Sequence, residues 1–498
     1  MCAAAVLIVL IITTTNTSVT TTIQQLISLA LTVSIASVAA DHLPTPPMLS
    51  MLLTGLLLKN ALPSLIVPLP HSWTTQFWSL ALTCIVAKAS LSLDLPTLAR
   101  KLRATLVLAT VPLAVQIVVS YFLTRTLFPS LTSPWIFAVC FGTASISPGV
   151  AVPILASLID AENTPSSKKL DETYTKGEKS RPESHAQMAK ICLAALGVDV
   201  LVATLGFGLS ISACFGHTHT RESHSFAALA AEEVLLGAVF GTVIGAVAPL
   251  LCNYLPLINI RIARKSKPDV YSAVHAFVLV LSISCMAYCK QQGMAGVGTM
   301  ATFITWIIVA QTTTLPRDTE RSAISLDVGA DTASDMDAKQ LAGAALHARL
   351  SMLWKYFMPF LFPIIGTLVL LLPVAATSHA DAVLPHFVLR CVGVVVLGTA
   401  AKSLAALVCG TLIGFSVREA WYTAGLWAAK ASTQATLCTV ALEMAIHHQA
   451  NSSPLEELAA AVDVDRAHIV FALMVAAIFI GLPWASLWTR VYSLQYEN

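Results

Sequence analysis

Cys192-Leu-Ala-Ala-Leu-Gly-Val-Asp199-Val-Leu-Val-Ala-Thr204 is an apolar run with a single carboxylate near its middle. Counted from Gln187 at the polar edge, about twelve residues at roughly 1.5 Å each put Asp199 about 18 Å along a helix. The hydrocarbon core of a bilayer is about 30 Å thick, so this position is expected close to the midplane. A carboxylate there costs roughly 2.5–3.5 kcal/mol even on the lenient insertion scale. Such a residue must either face water and bind something, or pair inside the protein.

The surrounding composition places this run in a membrane. The chain has 498 residues, a mean hydropathy of +0.76, 56% hydrophobic residues and 11% charged residues. Soluble domains carry about 25% charged residues, so the reading is an all-α polytopic membrane protein with little mass outside the bilayer. The net charge of +2 says nothing about partners. All eleven cysteines sit in or at the ends of apolar runs, and none falls in a spacing that suggests a disulfide framework or a zinc site. Cys285 and Cys289 share a helix face, which reads as packing.

Windows of about 20 apolar residues give thirteen spans, near 23–40, 47–63, 75–94, 104–128, 134–158, 187–214, 228–252, 269–289, 294–314, 351–373, 386–414, 421–446 and 467–489. Residues 1–12 form a further short apolar stretch, so residues 1–22 are expected as a fourteenth span or a signal. The transmembrane domain is then 23–490. Basic residues set its orientation. Alternate loops hold Arg100, Lys101, Arg103, Lys168, Lys169, Lys176, Lys179, Arg181, Arg261, Arg264, Lys265, Lys267, Arg317, Arg321, Lys339, Arg349, Arg418 and Arg490. The opposite loops hold only Arg221, Lys290 and Arg466. The basic side is therefore expected in the cytoplasm, together with the C-terminus. Sequons at Asn16 and Asn451 fall on the other side. Residues 161–186 and 317–348 are polar and poor in aromatics, and read as disordered cytoplasmic loops within the domain.

Three spans carry polar residues that lipid does not tolerate. The span 134–158 contains Gly142-Thr-Ala-Ser145-Ile-Ser147-Pro148-Gly149-Val-Ala-Val-Pro153. Pro148 and Pro153 remove amide donors, Gly149 permits an unusual backbone, and the serines can satisfy freed groups. A broken helix or an ordinary proline kink both fit. The span 421–446 carries Trp427-Ala-Ala-Lys430-Ala-Ser-Thr433-Gln434-Ala-Thr436, where Lys430 could compensate the negative end of a broken half-helix. No proline or glycine marks a break there. The span 386–414 has Lys402 at its centre, too deep to snorkel, and a buried lysine can act as a proton carrier. Gln116 reads as a hydrogen-bonded buried residue. Lys88, Glu232 and His275 read as helix-end or helix-contact residues.

One deep carboxylate, two deep lysines and paired irregular spans in the two halves point to an inverted-repeat secondary transporter with a midplane site. There is no Walker A loop for an ATP-driven pump, and no Ser/His/Asp or HExxH arrangement for a hydrolase. No enzymatic activity, cofactor or nucleic-acid partner is expected.

These residues resemble the cation:proton antiporter superfamily, specifically its NHA-type sodium/proton antiporter branch. The motifs run in order: Gly55-Leu-Leu-Leu-Lys59-Asn60, then Ala81 to Asp94, then Ser147-Pro148-Gly149-Val-Ala-Val-Pro153. Next come Phe357-Met-Pro359-Phe-Leu-Phe362 with Gly366, and finally Phe415-Ser-Val-Arg418-Glu419 with Trp427, Lys430, Thr433, Gln434 and Ala441-Leu-Glu443. The resemblance implies two crossed discontinuous helices, a core domain, a panel domain for a homodimer, and an elevator-like movement. It implies that Asp199 binds Na⁺ or Li⁺, or a proton, but not both, with Ser147, Pro148, Thr204, Lys402, Lys430, Thr433 and Gln434 supporting the site. Three departures stand out. Val198 replaces the first residue of the family's Asp-Asp or Asn-Asp pair. Lys402 stands where the family has Lys or Arg, paired in electrogenic members with that first acid. Gln116 stands where animal relatives carry a glutamate for the same cation. Lys402 is thus left hydrated, partnered elsewhere, or neutral for part of the cycle. The expectation is electroneutral exchange of a monovalent cation for a proton, with Asp199 as the acidic carrier. The alternatives are a non-transporting homologue acting as sensor or scaffold, and a sodium-coupled organic-anion symporter. The host membrane, plasma or organellar, is not distinguished.

Overall fold

The computed structural model describes residues 19–43, 45–64, 66, 69–93, 95–163, 183–215, 226–258, 267–313, 330–369, 384–452 and 457–496. The stretch 1–12, the sequon at Asn16, residues 164–182 of one polar loop and 317–329 of the other, and Arg221, Arg261, Arg264 and Lys265 lie outside the described residues.

Regular structure among the described residues is helical. The first helices are α1 (Val19–His42), α2 (Pro47–Ala61), α3 (His71–Ser92), the short α4 (Leu95–Arg100) and α5 (Leu102–Leu127). Then come α6 (Ser133–Ala144), α7 (Pro148–Asn163), α8 (Glu183–Phe215), α9 (Phe226–Ile258), α10 (Lys267–Gln291) and α11 (Ala295–Thr313). The chain closes with α12 (Ala330–Leu368), α13 (Leu384–Leu412), α14 (Val417–Trp427), α15 (Ser432–Asn451) and α16 (Glu457–Tyr496). Each of the thirteen apolar segments falls on one helix, except that 134–158 and 421–446 are each divided between two. Among the described residues, eight helical stretches are long and apolar enough to cross a membrane on length and composition.

Three expectations need correction. The loop 317–348 is not irregular throughout, because α12 is already helical from Ala330. Ala338, Ala342, Ala344, Ala345 and Ala348, with Leu341 and Leu346, give this segment strong helix propensity. An assignment based on polarity alone misses it. Likewise α7 runs on to Asn163 and α8 begins at Glu183, which trims the loop 161–186 at both ends. Lys290 is not a loop residue either; it is buried in the last turn of α10.

The helices pack in two groups. In one, α1–α3 lie with α10–α12, and α9 packs on α10 and α11. In the other, α5–α8 lie with α13–α16. The groups meet where α8 lies against α3 and α11, and where α15 lies against α3. Within the first group, α2 and α12 approach so closely at Gly55 and Gly366 that a Cβ on either would strike the other helix's backbone. Small residues are what allow such contact between membrane helices.

Both interrupted spans belong to the second group. The first breaks at Ser145–Ser147 for local reasons. Pro148 supplies no amide for the preceding turn, and it disfavours helical backbone at Ser147, but it suits the first position of α7. The second breaks at Ala428–Ala431, where no local signal exists. Its freed groups are taken up by the other break: Ser147 N–H donates to Ala429 O (3.0 Å), and Ser432 N–H donates to Ser147 Oγ (3.0 Å). The upstream half, α14, is started by a capping box in which Glu419 N–H donates to Ser416 Oγ and Ser416 N–H donates to Glu419 Oε2.

Gly366→Val should overpack the contact between α2 and α12 and cost roughly 1–3 kcal/mol of stability. The check is a lowered thermal midpoint in detergent; an unchanged midpoint would remove the close approach from the packing.

Candidate functional site

Asp199 lies on α8 where the two breaks meet, with no solvent exposure. One carboxylate oxygen, Oδ2, accepts from the Ile146 N–H (2.9 Å), an amide set free by the first break. The other, Oδ1, accepts from Lys402 Nζ of α13 (2.5 Å). Lys402, fully buried as well, also donates to Ala144 O (2.6 Å), the last carbonyl of α6. Its partner is therefore Asp199 itself. Val198, standing where the resemblance leads one to expect an acid, packs among apolar side chains.

Lys430, in the second break, points at the same helix end. Its Nζ donates to Ala144 O (2.7 Å), Ser145 O (3.1 Å) and Gln116 Oε1 (3.3 Å). The C-terminus of a helix carries about half a negative charge from carbonyls with no partner in the helix, so two ammonium groups suit it. Neutral donors complete the cap. Gln434 Nε2 donates to Gly142 O (3.2 Å) and Ser145 O (2.7 Å), and Gln116 Nε2 donates to Thr143 O (3.1 Å). Thr433 Oγ1 donates to Ile146 O (3.2 Å). Ser147 Oγ and Ser432 Oγ share a hydrogen bond (2.8 Å), and Gly149 N–H donates to Ser432 Oγ (3.3 Å). Gln434 also closes its own side, its Oε1 accepting from Ala431 N–H (2.9 Å).

Asp199, Lys402, Lys430, Ser147, Thr433 and Gln434 are thus brought together, and Pro148 opens α7 beside them. Thr204 is not. Its hydroxyl donates to Val200 O (2.7 Å) on its own helix, more than a turn beyond Asp199. Ser432 and Gly481 belong to the site and were not singled out. A Cβ at Gly481 of α16 would meet the backbone nitrogen of Lys430 at 2.7 Å, so glycine is what lets the second break lie against α16. Its signal is faint: one glycine before Leu482-Pro483 in an apolar run. Gln116 was expected beside Lys402 by the resemblance; its oxygen is on Lys430 instead.

Chemically this is a buried carboxylate, an ammonium that neutralises it, and a ring of carbonyl and hydroxyl oxygens. Hard monovalent cations take oxygen ligands, and Asp199 Oδ1 with the carbonyls of Ala144, Ser145 and Ile146 offers them. Lysine nitrogens occupy Asp199 Oδ1 and the carbonyls of Ala144 and Ser145, while Ile146 O accepts from Thr433.

No protein-family profile matches the chain. The human sodium/hydrogen exchanger 9B2 is 24% identical over 409 residues, covering 81% of this chain and 63% of that relative. The Bison bison bison sodium/hydrogen exchanger 9B2 is 26% identical over 409 residues with the same coverage, and human sodium/hydrogen exchanger 9B1 is 24% identical over 409 residues. The chain spans less than two thirds of the length of these relatives. Among solved structures, the sodium proton antiporter MjNhaP1 from Methanocaldococcus jannaschii at pH 8 superposes with a TM-score of 0.57 at 16% identity, covering 94% of this chain and 98% of that one. The chain has a sodium/proton antiporter fold. The resemblance to the cation:proton antiporter superfamily, first carried by scattered motifs, holds in sequence and in architecture.

Removing Lys402 alone strands the Asp199 carboxylate, and breaking a buried pair in this way costs about 3–5 kcal/mol. Lys402→Met should therefore lower the thermal midpoint strongly, and Lys402→Met combined with Asp199→Asn should recover most of the loss. Equal midpoints for the single and double variants would contradict the pairing.

Proposed function

We propose that this protein is a secondary active transporter that exchanges Na⁺ or Li⁺ for H⁺ by alternating access, one for one and without net charge movement. The observation that carries the reading is the bond from Lys402 Nζ to Asp199 Oδ1 at the meeting of two helix breaks. With the site empty of cation, the Asp199 carboxylate and the Lys402 ammonium cancel, and the contribution of Lys430 is the same in every state. When Na⁺ takes the carboxylate, Lys402 loses its counter-charge while Lys430, a second cation, stays on the same carbonyls. An ammonium left there is strongly disfavoured. Its N–H bond breaks, the proton leaves to water, and the nitrogen keeps the lone pair. The total charge of the site is unchanged, with Na⁺ in place of H⁺. Reversal on the other side completes the exchange.

In this reading Asp199 remains the sole acidic residue of the site, and Lys402 holds the proton that competes with the cation for it. The group of α5–α8 with α13–α16 is the moving core, the other group is the panel that forms a homodimer, and the C-terminus is cytoplasmic. Ser147, Thr433 and Gln434 support the break rather than carry charge. The reading involves no enzymatic chemistry and no cofactor. The organic-anion symporter loses its main support, because the Lys402 ammonium is already bound by Asp199. The non-transporting homologue draws only on Val198, and the complete polar site around Asp199 opposes it.

Purified protein in acid-loaded liposomes with a pH dye should discharge the gradient when Na⁺ or Li⁺ is added, and Asp199→Asn should abolish this. Clamping the potential at about −100 mV would contribute about 2.3 kcal/mol per net charge moved. Little change in rate is expected. A steep voltage response would contradict electroneutrality, and no exchange by the intact protein would leave the sensor reading.

A further inference from the structure

A second buried ion pair lies outside the site. Lys290 Nζ, in the last turn of α10, donates to Glu443 Oε2 of α15 (2.6 Å) and to Ser79 Oγ of α3 (3.3 Å). Both charged side chains are buried. The pair joins the two helix groups, since α15 carries half of the second break and α3 and α10 belong to the other group. Glu443 lies eleven residues beyond Ser432, so about 16 Å from the break along α15.

Another polar contact joins the groups at this same end. Ala295 N–H, at the start of α11, donates to Ser212 Oγ of α8 (3.1 Å), and Ser212 Oγ donates to Glu233 Oε2 of α9 (3.1 Å). Ser212 is thirteen residues past Asp199, roughly 20 Å along α8. Within the second group, the rings of Trp135 and Phe215, and of Phe215 and His448, pack at this end with centroids 5.5 Å apart in each case. At this end the site helices are therefore tied to the neighbouring group by Lys290–Glu443 and by Ala295–Ser212.

We propose that Lys290 and Glu443 form a latch that holds this end closed and releases it during the transport cycle, with Ser79 orienting the ammonium. This rests on the alternating-access reading above. The chemistry suits a joint that opens. Separated apolar surfaces stay unfavourable in water, whereas a separated ammonium and carboxylate are each well hydrated, so the open state recovers much of what the pair gave up. A latch of this kind biases the two access states without touching the transported ion.

Lys290→Met, Glu443→Gln and the exchanged pair Lys290→Glu with Glu443→Lys, each in the full chain, test it. In lipid nanodiscs, amide hydrogen exchange over residues 286–296 and 440–452 should rise in both single variants and return toward the starting level in the exchanged pair. In liposomes, apparent Na⁺ affinity measured from the α15 C-terminal side should rise about fivefold in the single variants, because the state open to that side becomes more populated, and should fall from the other side. Unchanged exchange, equal changes from both sides, or no recovery in the exchanged pair would overturn the latch. Failure of the unaltered protein to exchange Na⁺ for H⁺ would instead overturn the transport reading, and the nanodisc measurement would still decide whether the pair holds this end shut.

Discussion

A carboxylate and an ammonium held at 2.5 Å, both without solvent exposure, set the terms for the rest of this molecule. Neither charge is tolerable there alone, and together they still have hydrogen-bonding capacity to satisfy. The remaining capacity is met by backbone: an amide at Ile146 for Asp199 and a carbonyl at Ala144 for Lys402. Those groups are free only because a helix stops at Ala144. The ion pair therefore requires the break, and the break requires charges and amides to finish its ends.

The same economy extends to the second break. Ala428–Ala431 lacks any residue that would stop a helix in isolation, and its backbone is held open by Ser147 and by its own Gln434. Lys430 is then free to reach across to α6. Gly481 leaves room for this arrangement from the side of α16. A polar cluster of this density, enclosed by apolar helices, exchanges one bound charge for another more readily than it accepts an extra one. That is the physical basis of the proposed one-for-one exchange.

Much of this was legible in the chain. Each of the thirteen apolar windows falls on helix among the described residues, Pro148 marked the first break, and depth in an apolar run singled out Asp199, Lys402 and Lys430, which the structure brings together. The pairing of Lys402 was not legible. Its usual partner position holds Val198, and only the three-dimensional meeting of α8 and α13 shows that Asp199 takes up the role. The second break was inferred from polar content, because its cause is a contact 285 residues away. Thr204 drew attention as a hydroxyl near Asp199, yet five residues along a helix turn it to a different face, where its own backbone satisfies it. The helical start of α12 was hidden because polar, alanine-rich sequence looks like a loop to hydropathy and like a helix to propensity.

Competition between a cation and the Lys402 ammonium for Asp199 is the central claim, and proton counting on binding tests it most directly. Calorimetric titration of the purified protein with Na⁺ or Li⁺, in buffers of different ionisation heat, should show release of about one proton per cation bound. Asp199→Asn should bind no cation. Cation binding with no proton released, or binding that survives Asp199→Asn, would contradict it.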